Sequence, residues 1–112
     1  MQVRNLSRNQ VLGDQIRTAD TFALRLLGLM FRTGLNEGEG LWIQPCQSVH
    51  THFMRFPIDV IFVDRGHTVL HVIPALRPWR FSPIIRQGHA VLELPAGAAR
   101  GTRPGDRLAL EG

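Results

Sequence analysis

The segment His50-Thr-His-Phe-Met-Arg-Phe-Pro-Ile-Asp59 concentrates the side chains with the widest chemical repertoire in this sequence. In an extended strand successive side chains alternate, so His50, His52 and Met54 share one face while Thr51, Phe53 and Arg55 take the other. Two imidazoles on one face at that spacing suit a pair of metal ligands, with a third group arriving from His71, His89 or Glu93. The plainer reading is a pair of half-buried histidines satisfied by backbone and solvent, and for so short a motif it takes precedence.

Arg55 and Asp59 sit inside an otherwise apolar run from Phe53 to Val63, and Glu93 is flanked by Leu92 and Leu94. A charge in such a run must be paired, solvated at an edge or turned into a cavity, because burying it alone costs several kcal/mol. Pro57 marks a bend that would let Arg55 and Asp59 form an ion pair. The functional alternative is an arginine presented to an anionic ligand and oriented by Asp59. Asp59 and Glu93 as the paired carboxylates of a glycosidase carry little weight from sequence. Cys46 near His50 lacks an evident orienting group or oxyanion loop, so a lone thiol is the default.

The His-x-His pair invites comparison with the cupins, jelly-roll proteins whose first motif continues to a glutamate and whose second supplies another histidine. Here the glutamate position falls near Phe56 or Pro57. Pro95-Ala96-Gly97 resembles the second motif, but its histidine position falls on Arg100. A cupin-like metal-dependent enzyme using His50 and His52, with a divalent metal, therefore stands as the alternative only, and no cofactor is expected.

All 13 basic residues other than histidine are arginine, against 9 acids, for a formal charge of +4. A complete lack of lysine reads as codon bias more than as selection for a phosphate-binding surface. The densest cluster, Arg100, Arg103 and Arg107, is interrupted by Asp106, and no aromatic-interleaved surface that would stack bases is visible along the chain. Arginine-mediated nucleic-acid binding is accordingly a disfavoured alternative. The single cysteine excludes an intrachain disulfide and a tetracysteine zinc site. No signal-like apolar run opens the sequence and no ~20-residue apolar span occurs, so a cytoplasmic protein with no membrane association is expected.

These groups must be positioned by short elements. At 112 residues, with 44% hydrophobic and 20% charged residues, the chain fits one domain, 1–112, with one core. Met1 to Thr18 reads as two or three short strands. Asp20 caps a helix near residues 20–32 whose apolar positions are Phe22, Leu26, Leu29 and Met30, with Gly28 weakening it and Gly34 ending it. Beyond Gly40 come six apolar runs separated by Gly and Pro: Leu41 to Ile43, Val49 to Met54, Ile58 to Val63, Val69 to Ile73, Ala90 to Leu94 and Leu108 to Leu110. Arg65-Gly66 predicts a hairpin turn with glycine supplying the positive backbone angle. Pro74 to Pro83 reads as a loop anchored by Trp79 and Phe81. The pattern is mainly β: a compact β-sandwich or distorted, jelly-roll-like barrel with one short helix.

Gly28-Leu-Met-Phe-Arg32, Gly40-Leu-Trp-Ile43, His52 through Asp64, Leu92-Glu-Leu-Pro-Ala-Gly97 and Pro104-Gly-Asp106 occur in an order that resembles the family called domain of unknown function 192. Met54, Arg55, Pro57 and Asp59 carry the most diagnostic block. Many relatives have Trp where Phe53 stands and a longer segment before the proline. The resemblance implies a compact β fold with a short helix, and implies no reaction, cofactor or partner. The functional expectation is a non-enzymatic binding or accessory protein for a small polar ligand or a protein, with candidate ligand-binding residues His50, His52, Arg55, Asp59 and Glu93.

Overall fold

A computed structural model describes residues 1–112, except for the side chains of Phe22 and Leu26. Two of the apolar runs set the architecture. Ile58–Val63 (β5) and Ala90–Pro95 (β7) are buried almost throughout, as continuous apolar strands are when both sheet faces are covered. They lie side by side in a five-stranded sheet of order β3-β4-β7-β5-β6, where β3 is Gln15–Ala19, β4 is Glu39–Ile43 and β6 is Val69–Leu76. The β3 and β4 pair is parallel and the other pairs are antiparallel.

A second sheet, ordered β2-β1-β8, is formed by β1 (Gln2–Asn5), β2 (Gln10–Gly13) and β8 (Leu108–Glu111). It packs on one face of the large sheet, where Val3, Leu12 and Leu108 meet Trp42, Ile61, Val63, Leu92 and Leu94. This is the sandwich-like, mainly β fold expected. The opposite face presents Val91, Val60, Phe62 and Leu41, and it is covered by irregular chain, with Leu29, Val49 and Met54 packing down on it. A Cβ at Gly40 would lie 2.7 Å from the Glu93 carbonyl oxygen and from Ile16 Cδ1, so only glycine allows β4 to approach β7 this closely.

Four local features differ from the expectation. The helix, α1, spans only Phe22–Leu27. Its N-cap is Thr21 in place of Asp20, with Oγ1 accepting from the Leu24 N–H at 3.2 Å. Gly28, at φ +50°, ends it rather than weakening its middle, and the expected apolar positions Phe22 and Leu26 lie outside the described side chains. The run Val49 to Met54 is not a strand: His50 makes an isolated bridge with Phe81, and Phe53 at φ +64° breaks the extended backbone. In the 64–68 turn the positive angle falls on His67 rather than Gly66, while Asp64 Oδ1 accepts from both the Gly66 and Thr68 N–H groups at 2.9 Å. β6 also runs through Pro74, which its position at the sheet edge permits.

Candidate functional site

Glu93 lies on the central strand β7, opposite Leu41 of β4 and Val60 of β5. Residues opposite each other in a sheet project to the same side, so its carboxyl group enters the face covered by α1 and the 45–56 segment. It is 3% exposed, and Oε1 has no hydrogen-bond partner among the described residues. Burial without a compensating charge pushes its pKa from 4.5 up to about 8, so the group is mostly protonated at neutral pH.

The carboxyl borders a cavity of about 60 Å³ whose walls include Gly28, Leu29, Cys46, Val49 and Met54. Gly28 brings the chain leaving α1 over the acid: a Cβ there would stand 3.9 Å from Oε1. Arg25, Ile43, Cys46, Ser48 and His50 border both this cavity and a wider cleft of about 510 Å³ that Pro45 and Gln47 complete. Burial also pushes the Cys46 thiol upward, and its Sγ donates to the Ser48 carbonyl at 3.0 Å. The arrangement is a neutral buried acid beneath an entrance that carries a guanidinium, an imidazole and a thiol. It can donate or accept a hydrogen bond at its floor and attract an anionic group at its mouth.

The structure divides the residues singled out in the sequence. Glu93 and His50 border the cavity. Asp59 does not: it pairs with Leu94, which faces the sandwich core, so Asp59 and Glu93 project to opposite faces of the sheet. The Asp59 carboxylate accepts from the Ala75 N–H at 2.8 Å and from the Gly97 and Ala99 N–H groups at 2.9 Å, holding the far end of β6 and the turn after β7 to the start of β5. Arg55 is exposed and makes no ion pair among the described residues, so the Arg55–Asp59 pair inferred from Pro57 does not form. His50 and His52 have ring centroids 5.4 Å apart, and no cluster of three metal-ligating side chains occurs among the described residues.

The DUF192 family model, described as "Uncharacterized ACR", matches residues 3–110. The chain belongs to the DUF192 family. A UPF0127 protein of Pyrococcus furiosus is 35% identical over 111 residues, covering 93% of both chains. One from Pyrococcus horikoshii is 33% identical, covering 93% of this chain and 94% of its own length. A crystal structure of a protein of unknown function from Novosphingobium aromaticivorans superposes with a TM-score of 0.83 at 29% identity, covering 97% of this chain and 82% of that one.

Arg25, Gly28 and Ser48 were not legible as site residues in the sequence of this DUF192 protein. Gly28 carried the usable signal: a glycine inside an otherwise apolar helical pattern marks a stop or a close backbone approach, and here it does both. Thr51, expected on the face away from the histidines, is fully buried and ties the 49–54 segment to the 77–81 loop. Its N–H donates to the Arg80 carbonyl, its hydroxyl donates to the Arg77 carbonyl, and Oγ1 accepts from the Arg80 N–H at 2.9 Å. Among the described residues no helix is long and apolar enough to cross a membrane.

Proposed function

We propose that this protein is a non-enzymatic binding domain for a small polar molecule that enters beside Arg25 and His50 and hydrogen-bonds to the Glu93 carboxyl. The observation carrying this reading is the unpartnered Oε1 of a fully buried acid at the wall of a cavity. A buried polar atom left without a partner costs free energy that folding alone does not recover, which supports a role outside stability. The protonated acid favours a ligand with both a hydroxyl or amide group for the floor and an anionic group for Arg25. The free Cys46 thiol suits a reducing, cytoplasmic setting.

Titration of isotopically labelled protein with a panel of small hydroxy acids, amides and amino acids tests the reading by NMR. The expected result is amide shifts concentrated at Gly28, Cys46, Ser48 and His50, and their loss in Glu93→Leu. Equal shifts in that variant, or shifts scattered over the surface, would refute it. A Glu93→Leu protein that is less stable than the wild type, with no compound binding the wild type, would assign Glu93 to structure alone.

A further inference from the structure

The sequence offers no aromatic-interleaved basic surface, but the fold assembles one. Phe31, Phe53, Trp79, His52 and Phe81 come from three separate segments, and their rings form a continuous chain with successive centroids 5.4, 4.8, 5.3 and 4.6 Å apart. The phenylalanines and the tryptophan are all exposed. Single exposed apolar residues are ordinary, whereas a contiguous strip of large ones marks an interaction surface.

Phe31, Phe53 and Trp79 also share a backbone strain. Their φ angles are +66°, +64° and +64°, a region that bulky side chains rarely occupy. The strain is maintained by hydrogen bonds that over-determine the loops: the Phe31 N–H donates to the Phe53 carbonyl and the Trp79 N–H to the Thr51 carbonyl, both at 3.0 Å. Strain retained at three touching surface residues is the pattern of a recognition site more than of a core.

The charge on two of the strip's three segments has one sign, while beside Phe31 the Arg32 guanidinium pairs with Glu39 at 3.7 Å. Residues 50–57 and 77–86 contain Arg55, Arg77, Arg80 and Arg86 and no aspartate or glutamate. Arg55, Arg77 and Arg80 are exposed, and none forms an ion pair among the described residues. An anionic partner complements this face. Stacked rings whose segments also carry guanidinium groups free of ion pairs fit a chain that offers flat π-faces and phosphates together, and the His52 imidazole within the ring chain suits ribose hydroxyls.

We propose that this face binds single-stranded RNA, with bases stacked along the ring chain and phosphates held by Arg55, Arg77 and Arg80. The strip accommodates about four nucleotides, the lower end of the site sizes seen for stacking platforms. His50, which neighbours His52, borders the Glu93 cavity, but none of the five stacked rings and none of Arg55, Arg77 and Arg80 lines it, so the reading of that cavity can fail without affecting this one.

Fluorescence anisotropy with a labelled 12-mer of riboadenosine tests the proposal, alongside Trp79 emission. The two tryptophans are separable, because Trp42 is 1% exposed and Trp79 is 53% exposed. Binding should quench the solvent-exposed component and leave the buried one. Trp79→Ala and Phe53→Ala should each weaken binding roughly tenfold, the effect of losing one stacked base. Three neutralised phosphates give a log–log salt slope of about −2, and Arg55→Ala should reduce it by about 0.7. Unchanged melting temperatures of these surface variants would show that the losses are not unfolding.

Binding that is unaffected by Trp79→Ala, or equal for an abasic 12-mer, would overturn stacking. Equal affinity for deoxyadenosine 12-mer would overturn the choice of RNA. Co-sedimentation with phosphatidylserine vesicles without RNA binding, or a dimer in solution that shields Trp79 from acrylamide quenching, would assign the strip to a membrane or to a second copy instead.

Discussion

Replacing Glu93 by glutamine keeps the shape of the side chain and removes its ionisation, which converts the buried acid into a measurable pH dependence. With the pKa at 4.5 when exposed and about 8 when folded, the native state holds a proton that the unfolded chain releases across this interval. Stability therefore falls as pH rises: its slope follows protons bound in the unfolded minus the native state, which is negative here. The contribution is fully present below pH 4.5 and is lost by the time pH passes 8. Each pH unit removes about 1.4 kcal/mol, so the whole interval removes on the order of 5 kcal/mol, a large share of the ~5–15 kcal/mol typical of a domain. Urea unfolding at half-unit steps from pH 5 to 9, for wild type and Glu93→Gln, gives the test. The difference between the two curves cancels every other titrating group and should fall at about 1.4 kcal/mol per unit before levelling above pH 8. A flat difference over pH 5 to 8 would show that Glu93 ionises freely in the folded protein, refuting the desolvated geometry on which the site rests.

Asp59→Ala leaves three backbone N–H groups without their acceptor and should destabilise by at least ~3 kcal/mol in chemical denaturation, whereas Arg55→Ala should stay within ~0.5 kcal/mol. Gly40→Ala forces a Cβ against the β7 backbone and against Ile16 and Leu94, and should cost roughly 1–3 kcal/mol or more, lowering the melting temperature. Cys46 should alkylate with iodoacetamide more slowly than a free thiol at pH 8, since burial disfavours the thiolate, and should reach the free-thiol rate in urea.

The mainly β class, the single early helix and five of the six apolar runs beyond Gly40 were legible in the sequence, because strand period and Gly or Pro punctuation are local signals. The sixth, Val49 to Met54, has the composition of a strand and lacks the partner. Thr51 holds that segment to residues 77–81 instead, which only distant chain could dictate. The problem posed by charges in apolar runs was equally visible, and its solutions were not. Asp59 and Glu93 look alike in sequence, each a carboxylate within a buried strand. One carries the free energy of three backbone hydrogen bonds and the other faces a cavity, because cross-strand register turns them to opposite sides of the same sheet.

Sequence by itself thus determined the fold class, the family and the acids that demand an explanation. The tertiary structure alone decided which acid is unpaired and which rings touch. Both depend on contacts between residues tens of positions apart, such as Phe31 with Phe53 and Phe53 with Trp79, and no local spacing encodes them.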